Sequence, residues 1–211
     1  MNLPKRDEEN KGLYSYSQHK KWREDKKAYI LSYFFKERFS GNAYTDFGSK
    51  VGEALENGDY SGFDKVEVKM LSKATRLDEF ERPINWKFKD FTVLGYIDTI
   101  DKELTTLVDY KTGALNKVSV YEDDSYDQLG IYAGAIQQET GKLPTKAYVE
   151  LIERTGNPFQ REELALGTFI VNIPQDVSPK KIKQIKREIE QAVKEISQYY
   201  SVFEFMNSCE I

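Results

Sequence analysis

The hydrophobic period of this 211-residue chain changes four times between its ends, and that alternation restricts the fold more than any single residue does. Residues 17–39 predict a long first helix, with Ser17 as its N-cap and Trp22, Tyr29, Ile30, Tyr33 and Phe34 at helical spacing. A shorter helix fits 47–56, with Phe47, Val51, Ala54 and Leu55 on one side and a stop at Asn57-Gly58. The period then falls to two. Val66, Val68 and Met70 alternate with Lys65, Glu67 and Lys69, and Ile84, Trp86 and Phe88 with Asn85, Lys87 and Lys89, so both runs predict strands. Strands at 91–98 and 105–111, separated by Asp101-Lys102-Glu103, predict a hairpin.

After the hairpin the helical period returns. Ser125, Asp127 and Gln128 open a helix, Leu129, Tyr132, Ala133 and Ile136 line one face, and Gly141 ends it. Strands come next at 146–153 and 168–174. Ser178-Pro179 then starts a last helix to about Tyr200, whose stripe of Ile182, Ile185, Ile189, Val193 and Ile196 packs inward and leaves the basic run 180–187 outside. Helices, a strand meander, helix, strands and helix in that order predict an α/β (α+β) domain, a central mixed β-sheet flanked by helices. A chain of this length fits one domain.

Composition excludes several classes. Hydrophobic residues are 39% of the chain with no apolar run near the roughly 20 residues that span a bilayer, and 12 Phe, 14 Tyr and 2 Trp are too many for a disordered polymer. The first residues, MNLPKRDEENKG, lack the apolar core of a secretory signal, so a cytoplasmic location is expected. One cysteine, Cys209, cannot build a disulfide framework or a four-cysteine cluster, so any metal must be held by oxygen. The lone His19, beside Lys20 and Lys21, reads as part of a solvated helix face.

Asp98 in GYID and Asp109 in VDYKTG carry the strongest chemical signal, with Lys111 two residues after the second acid. Positions two apart on a strand share a face, and folding the hairpin brings Asp98 within a position or two of Asp109. Two close carboxylates repel unless a divalent cation, Mg²⁺ or Mn²⁺, takes them as hard ligands. Such an ion activates water and polarises a phosphoryl oxygen, while the lysine orients water or offsets charge, which is the chemistry of phosphodiester hydrolysis. A cross-strand surface ion pair is the plainer explanation for the same spacing.

GYID, then VDYKTG, then QLGIY at 128–132 resembles the RecB-like branch of the PD-(D/E)XK nuclease superfamily, which shows G-x-x-D, D-x-K-T and Q-x-x-x-Y in that order. The resemblance covers most of the chain, including the SYSQHKKW segment that contains Ser17 and the GSKVGEALE helix, and implies a restriction-endonuclease-like core. It implies Asp98 and Asp109 as metal ligands with the Tyr110 carbonyl, Lys111 as the catalytic lysine, and Gln128, Tyr132 and Ser17 toward the substrate. One departure stands out: where the family carries a histidine or acid on the early helix, this chain has Gly52, and Glu53 or Glu56 is the candidate replacement. Its single cysteine sets it beside compact phage or bacterial members without an iron-sulfur cluster.

The expected partner is therefore DNA, single- or double-stranded, with a recombination or replication protein as a possible second. Basic residues of the first helix and of 180–187 could follow a phosphate backbone, and Tyr14, Tyr16, Trp22 and Tyr126 could stack on bases. Two readings compete: a divalent-metal-dependent DNA nuclease, an exonuclease of recombination, repair or phage DNA processing, and an inactive nuclease-like adaptor that lost cleavage through Gly52. A non-nuclease metal enzyme using the same acids has no motif of its own.

Overall fold

A computed structural model describes residues 1–37 and 41–209. In chain order it contains β1 (Gly12–Ser15), α1 (Tyr16–Glu24), α2 (Lys26–Tyr33), α3 (Ala43–Asn57), α4 (Lys65–Leu71), β2 (Glu79–Lys87), β3 (Phe91–Ile100) and β4 (Thr106–Gly113). The remaining elements are α5 (Val118–Glu122), α6 (Gln128–Thr140), β5 (Lys146–Thr155), β6 (Ala165–Pro174) and α7 (Pro179–Ser208). The sheet runs β1-β3-β4-β5-β6, with β2 on the other edge of β3. It is mixed: β1 is parallel to β3 and β4 to β5, whereas β2–β3, β3–β4 and β5–β6 are antiparallel.

Helices cover both faces, as the alternating periods predict. On one face Trp22, Tyr29, Leu129, Ile136, Ile185, Ile189 and Val193 from α1, α2, α6 and α7 close over the strands. On the other, Val51, Ala54 and Leu55 of α3 and Leu71 of α4 pack on Val108, Tyr110 and Ile152. Each fully buried Leu or Ile of this kind contributes roughly 1.5–3 kcal/mol. Among the described residues no helix is long and apolar enough to cross a membrane.

Three local expectations change. The first helix is broken at Asp25, whose extended backbone (φ −152°, ψ 92°) ends α1 and whose carboxylate accepts the Ala28 N–H to start α2. Apolar spacing runs on across this break, so periodicity alone conceals it; the last two residues of the expected helix lie outside the described ones. The cap is Ser15, which accepts from the Gln18 N–H, and Ser17 lies one residue inside α1.

Residues 66–70 are helical rather than extended. Asp64 accepts from the Val66 and Glu67 N–H groups while the Glu67 side chain accepts from the Asp64 N–H, a reciprocal cap that nucleates α4. Burial agrees with the helix: Met70, Leu71 and Ala74 are enclosed, and Val66 is 65% exposed. Finally, α7 continues past Tyr200 to Ser208, because nothing there breaks it and Phe203 packs on Phe34 and Phe35.

Candidate active site

Strand β3 changes neighbours along one edge. Residues 91–94 pair with β1, and residues 99 and 100 pair with β4, leaving a gap between them. The β3–β4 ladder holds only Thr99↔Val108 and Ile100↔Leu107 before the strands part. One register step into the gap, Asp98 stands against Asp109, as the hairpin geometry predicts. Where a ladder bond would have continued, the Tyr110 N–H donates to Asp98 Oδ2 at 2.6 Å. β4 stays in register with β5 from Thr106 to Gly113, so Asp109, Tyr110 and Lys111 sit on a strand held from its other side.

Asp109 is completely buried and fully engaged. Lys111 Nζ lies 2.5 Å from its Oδ2. Gln128 Nε2, in the first turn of α6, donates to Asp109 Oδ1 at 2.7 Å and to the Tyr132 hydroxyl at 2.9 Å. The Tyr126 hydroxyl sits 3.2 Å from Asp109 Oδ2 and 2.9 Å from Gln128 Oε1, its one proton shared between them. Asp127 occupies the cap position of α6, which leaves the Gln128 side chain for Asp109. Gly95 explains the glycine of G-x-x-D, since a Cβ there would lie 2.7 Å from the Tyr132 ring. Tyr126, a stacking candidate by sequence, is instead a third donor to Asp109, a role that depends on the loop ahead of α6.

Electrostatics derive from this enclosure. Burial first, then the Asp109 charge, lifts the Asp98 carboxyl to about 7, while Lys111 and the Tyr110 N–H pull the other way and Glu81 adds to the rise. For Lys111 burial works against the charge, yet the Asp109 and Asp98 carboxylates outweigh it and hold the ammonium above its ordinary range. Lys111 therefore stays protonated near neutrality. One ammonium facing two carboxylates leaves negative charge uncompensated, and those hard oxygen donors fit a divalent cation of the Mg²⁺ or Mn²⁺ kind.

The other wall of this site is a cleft of about 650 Å³ between α3 and the strands, which Gly52, Glu53, Glu56, Glu81, Asp98 and Lys111 help to line. A Cβ on Gly52 would meet nothing within 4 Å, so the position where the family carries its helix ligand is open space. Glu53 and Glu56 are exposed on this wall. Ser17 does not reach it: it is exposed on α1 with its hydroxyl 3.0 Å from Ser15 Oγ. Glu81 is an acid that the motifs do not single out. It lies on β2 with φ +46°, a conformation rare for a side-chain-bearing residue, and no pattern in the sequence flags it.

A second group of donor atoms occupies the far side of the α6 start. His19, Asp127 and Glu188 present ligand-type atoms within 4.8 Å of one another. His19 is buried, not solvated, because α1 turns it onto Tyr14, whose hydroxyl lies 3.3 Å from Nδ1; Nε2 has no hydrogen-bond partner among the described residues. Burial, reinforced by Arg23, pushes its pKa down to about 4. Arg23 Nη1 lies 2.5 Å from Asp127 Oδ2, and Lys181 Nζ lies 3.1 Å from Asp127 Oδ1. Lys181 is thus enclosed, although the basic run 180–187 reads as outward-facing; Lys180, Lys183, Lys186 and Arg187 do remain exposed. Tyr14, Trp22 and Tyr126 are buried too, which removes them as stacking platforms and leaves Tyr16 half-buried against Tyr126.

Comparison with known proteins agrees with the geometry. The family model for the PD-(D/E)XK nuclease superfamily matches residues 15–210. The crystal structure of a "Putative exonuclease" from Eubacterium rectale superposes with a TM-score of 0.51 over 97% of this chain and 84% of that one, at 12% identity, which shows a shared fold. No curated protein matches the chain.

Proposed function

Because the chain belongs to the PD-(D/E)XK nuclease superfamily, we propose that it is a divalent-metal-dependent deoxyribonuclease, an exonuclease that trims DNA from an end, with residues 1–211 forming one such domain. The observation that carries this reading is the meeting of Asp98 and Asp109 where β3 and β4 part, with Lys111 2.5 Å from Asp109. Asp98, Asp109 and the main-chain carbonyl of Tyr110 would hold the cation. Bound there, Mg²⁺ or Mn²⁺ polarises a phosphoryl oxygen and lowers the pKa of an attacking water.

The chain's own groups do the rest. Lys111, kept protonated, orients the water and offsets the charge that builds on the phosphoryl oxygens, so it acts as an electrostatic group and not as a base. Gln128 and Tyr126 fix the Asp109 carboxylate, and Tyr132 holds Gln128 in place. A water oxygen forms the new bond to phosphorus as its proton passes to solvent, one ester P–O bond breaks, and the leaving alkoxide takes a proton from solvent. Exposed Lys180, Lys183, Lys186 and Arg187 supply a basic stripe for the backbone. The cellular setting we infer is cytoplasmic DNA recombination, repair or phage DNA processing, beside a recombination or replication protein.

Digestion of end-labelled linear DNA and of a covalently closed circle, in Mg²⁺, Mn²⁺ or EDTA, tests the reading. Linear DNA should be lost and the circle spared, with EDTA stopping the reaction. The empty position at Gly52 favours one rival, a nuclease-like adaptor that binds without cutting. Inertness in both metals with DNA binding retained would establish it instead.

A further inference from the structure

Resting on that reading, we propose that Glu81 is the third carboxylate of the cation site and takes the place that Gly52 leaves empty on α3. Register carries the first part of the case. Glu81 falls between the pairs Phe80↔Thr99 and Arg82↔Ile97, which sets it against Asp98 on β3, and Asp98 in turn stands against Asp109 one step beyond Thr99↔Val108. Three acids therefore lie at one register level across three neighbouring strands, where β3 and β4 have just parted.

Placement in the cleft carries the second part. Glu81 lines the same cleft as Asp98 and Lys111 and is exposed there. Its charge bears on Asp98 and on Tyr132, two residues of the site, and Glu56 on the α3 wall bears on Glu81 in turn. The next residue along β2 anchors the backbone in this unusual conformation: Arg82 pairs with Glu79 at 2.6 Å and with Glu139 at 2.7 Å. Glycine would adopt φ +46° without strain, so a glutamate there brings a side chain to a position where none is needed for folding.

Open space is the third. No side chain from Gly52 occupies the cleft between α3 and Asp98, and a Cβ built there meets nothing within 4 Å. Among the described residues the carboxylates of Glu81, Asp98 and Asp109 do not all approach within 4.8 Å of one another. Glu81 thus reaches the cation by swinging its longer arm inward or through one of the waters that Mg²⁺ retains.

Calorimetric titration with Mn²⁺, without DNA, tests the assignment on wild type, Glu81→Gln, Glu81→Gly, Glu53→Gln and Asp109→Asn, each checked by thermal unfolding. Both Glu81 variants should bind Mn²⁺ at least about ten-fold more weakly, the effect expected for removing a supporting ligand. Glu53→Gln should bind like wild type, and Glu81→Gly should unfold no earlier, since it relieves the left-handed backbone. Unchanged binding in both Glu81 variants, with Asp109→Asn still losing Mn²⁺, overturns the role of Glu81 and leaves the nuclease reading standing. Loss confined to Glu53→Gln overturns it as well. Failure of the wild-type protein to take up Mn²⁺ sinks the reading beneath it.

Discussion

Two carboxylate clusters meet the first turn of α6, and they differ in how their charge is answered. Asp127 and Glu188 stand beside Arg23, and Asp127 also faces Lys181, which reaches the solvent-exposed Asp124 as well, so two cations answer the two more enclosed acids around a neutral His19. Asp98 and Asp109 share Lys111 alone, with Glu81 adding a further negative charge nearby. The balanced cluster has its donor atoms closer together, yet it is the poorer cation site, because a metal there would have to expel Arg23 and Lys181. Uncompensated charge, more than the crowding of ligand atoms, marks where a dication belongs.

Removing charge from each cluster should separate them. The largest effect is expected from Asp109→Asn and Lys111→Ala: cleavage of linear DNA, measured by label release, should fall by about 10³-fold or more in each. Residual activity within ten-fold of wild type would place the chemistry elsewhere.

Asp127→Asn should instead damage the fold. It removes the enclosed counter-ion of Lys181, whose side chain is only 7% exposed, and leaves that ammonium to the main-chain carbonyl and the exposed carboxylate of Asp124, so the cost should be about 2 kcal/mol in urea unfolding. Arg23, 36% exposed, can recover water and adds little. A loss below about 1 kcal/mol would mean that this cluster is hydrated and not a buried ion network.

A third difference concerns pH. The folded pKa of Asp98, about 7, lies above its ordinary value of 3.8, so the native state binds the extra proton between those limits. Its contribution to stability is therefore full below about pH 4 and lost as pH rises through about 7. Without divalent cation, Asp98→Asn should melt above wild type at pH 8, and the gap should close on acidification toward pH 5. Adding Mg²⁺ at pH 8 should raise the wild-type melting temperature more than that of the variant. Parallel melting curves across this range would remove the case for an under-compensated acid pair.

Tyr126→Phe should have the smallest effect. It deletes one hydroxyl from Asp109 and Gln128 while Lys111 and Gln128 Nε2 remain, so about 1 kcal/mol of stability and a few-fold in cleavage rate are expected. A loss as deep as that of Lys111→Ala would make Tyr126 a member of the reacting group.

Much of this architecture is legible in residue order. Alternation at 84–98 and 105–111, the glycine stop after α3 and the cap of α7 are local signals, and the elements appear where those signals stand. The strand expected at 66–70 is a helix because alternation over five residues fits either element, and the reciprocal Asp64–Glu67 cap decides between them. The break at Asp25 is hidden for the converse reason, since apolar spacing continues across it.

Residue order alone dictates the mixed sheet, the hairpin that sets Asp98 against Asp109, and the pairing of Lys111 with Asp109, because strand period and turn position depend on neighbours close along the chain. The surroundings of these groups are a matter of tertiary packing. That His19 and Lys181 are enclosed, that Tyr126 serves Asp109, and that Glu81 shares the cleft beside an empty Gly52 all depend on segments far apart in the chain. Burial and charge compensation are sums over every element packed around a group, and no local pattern carries that sum.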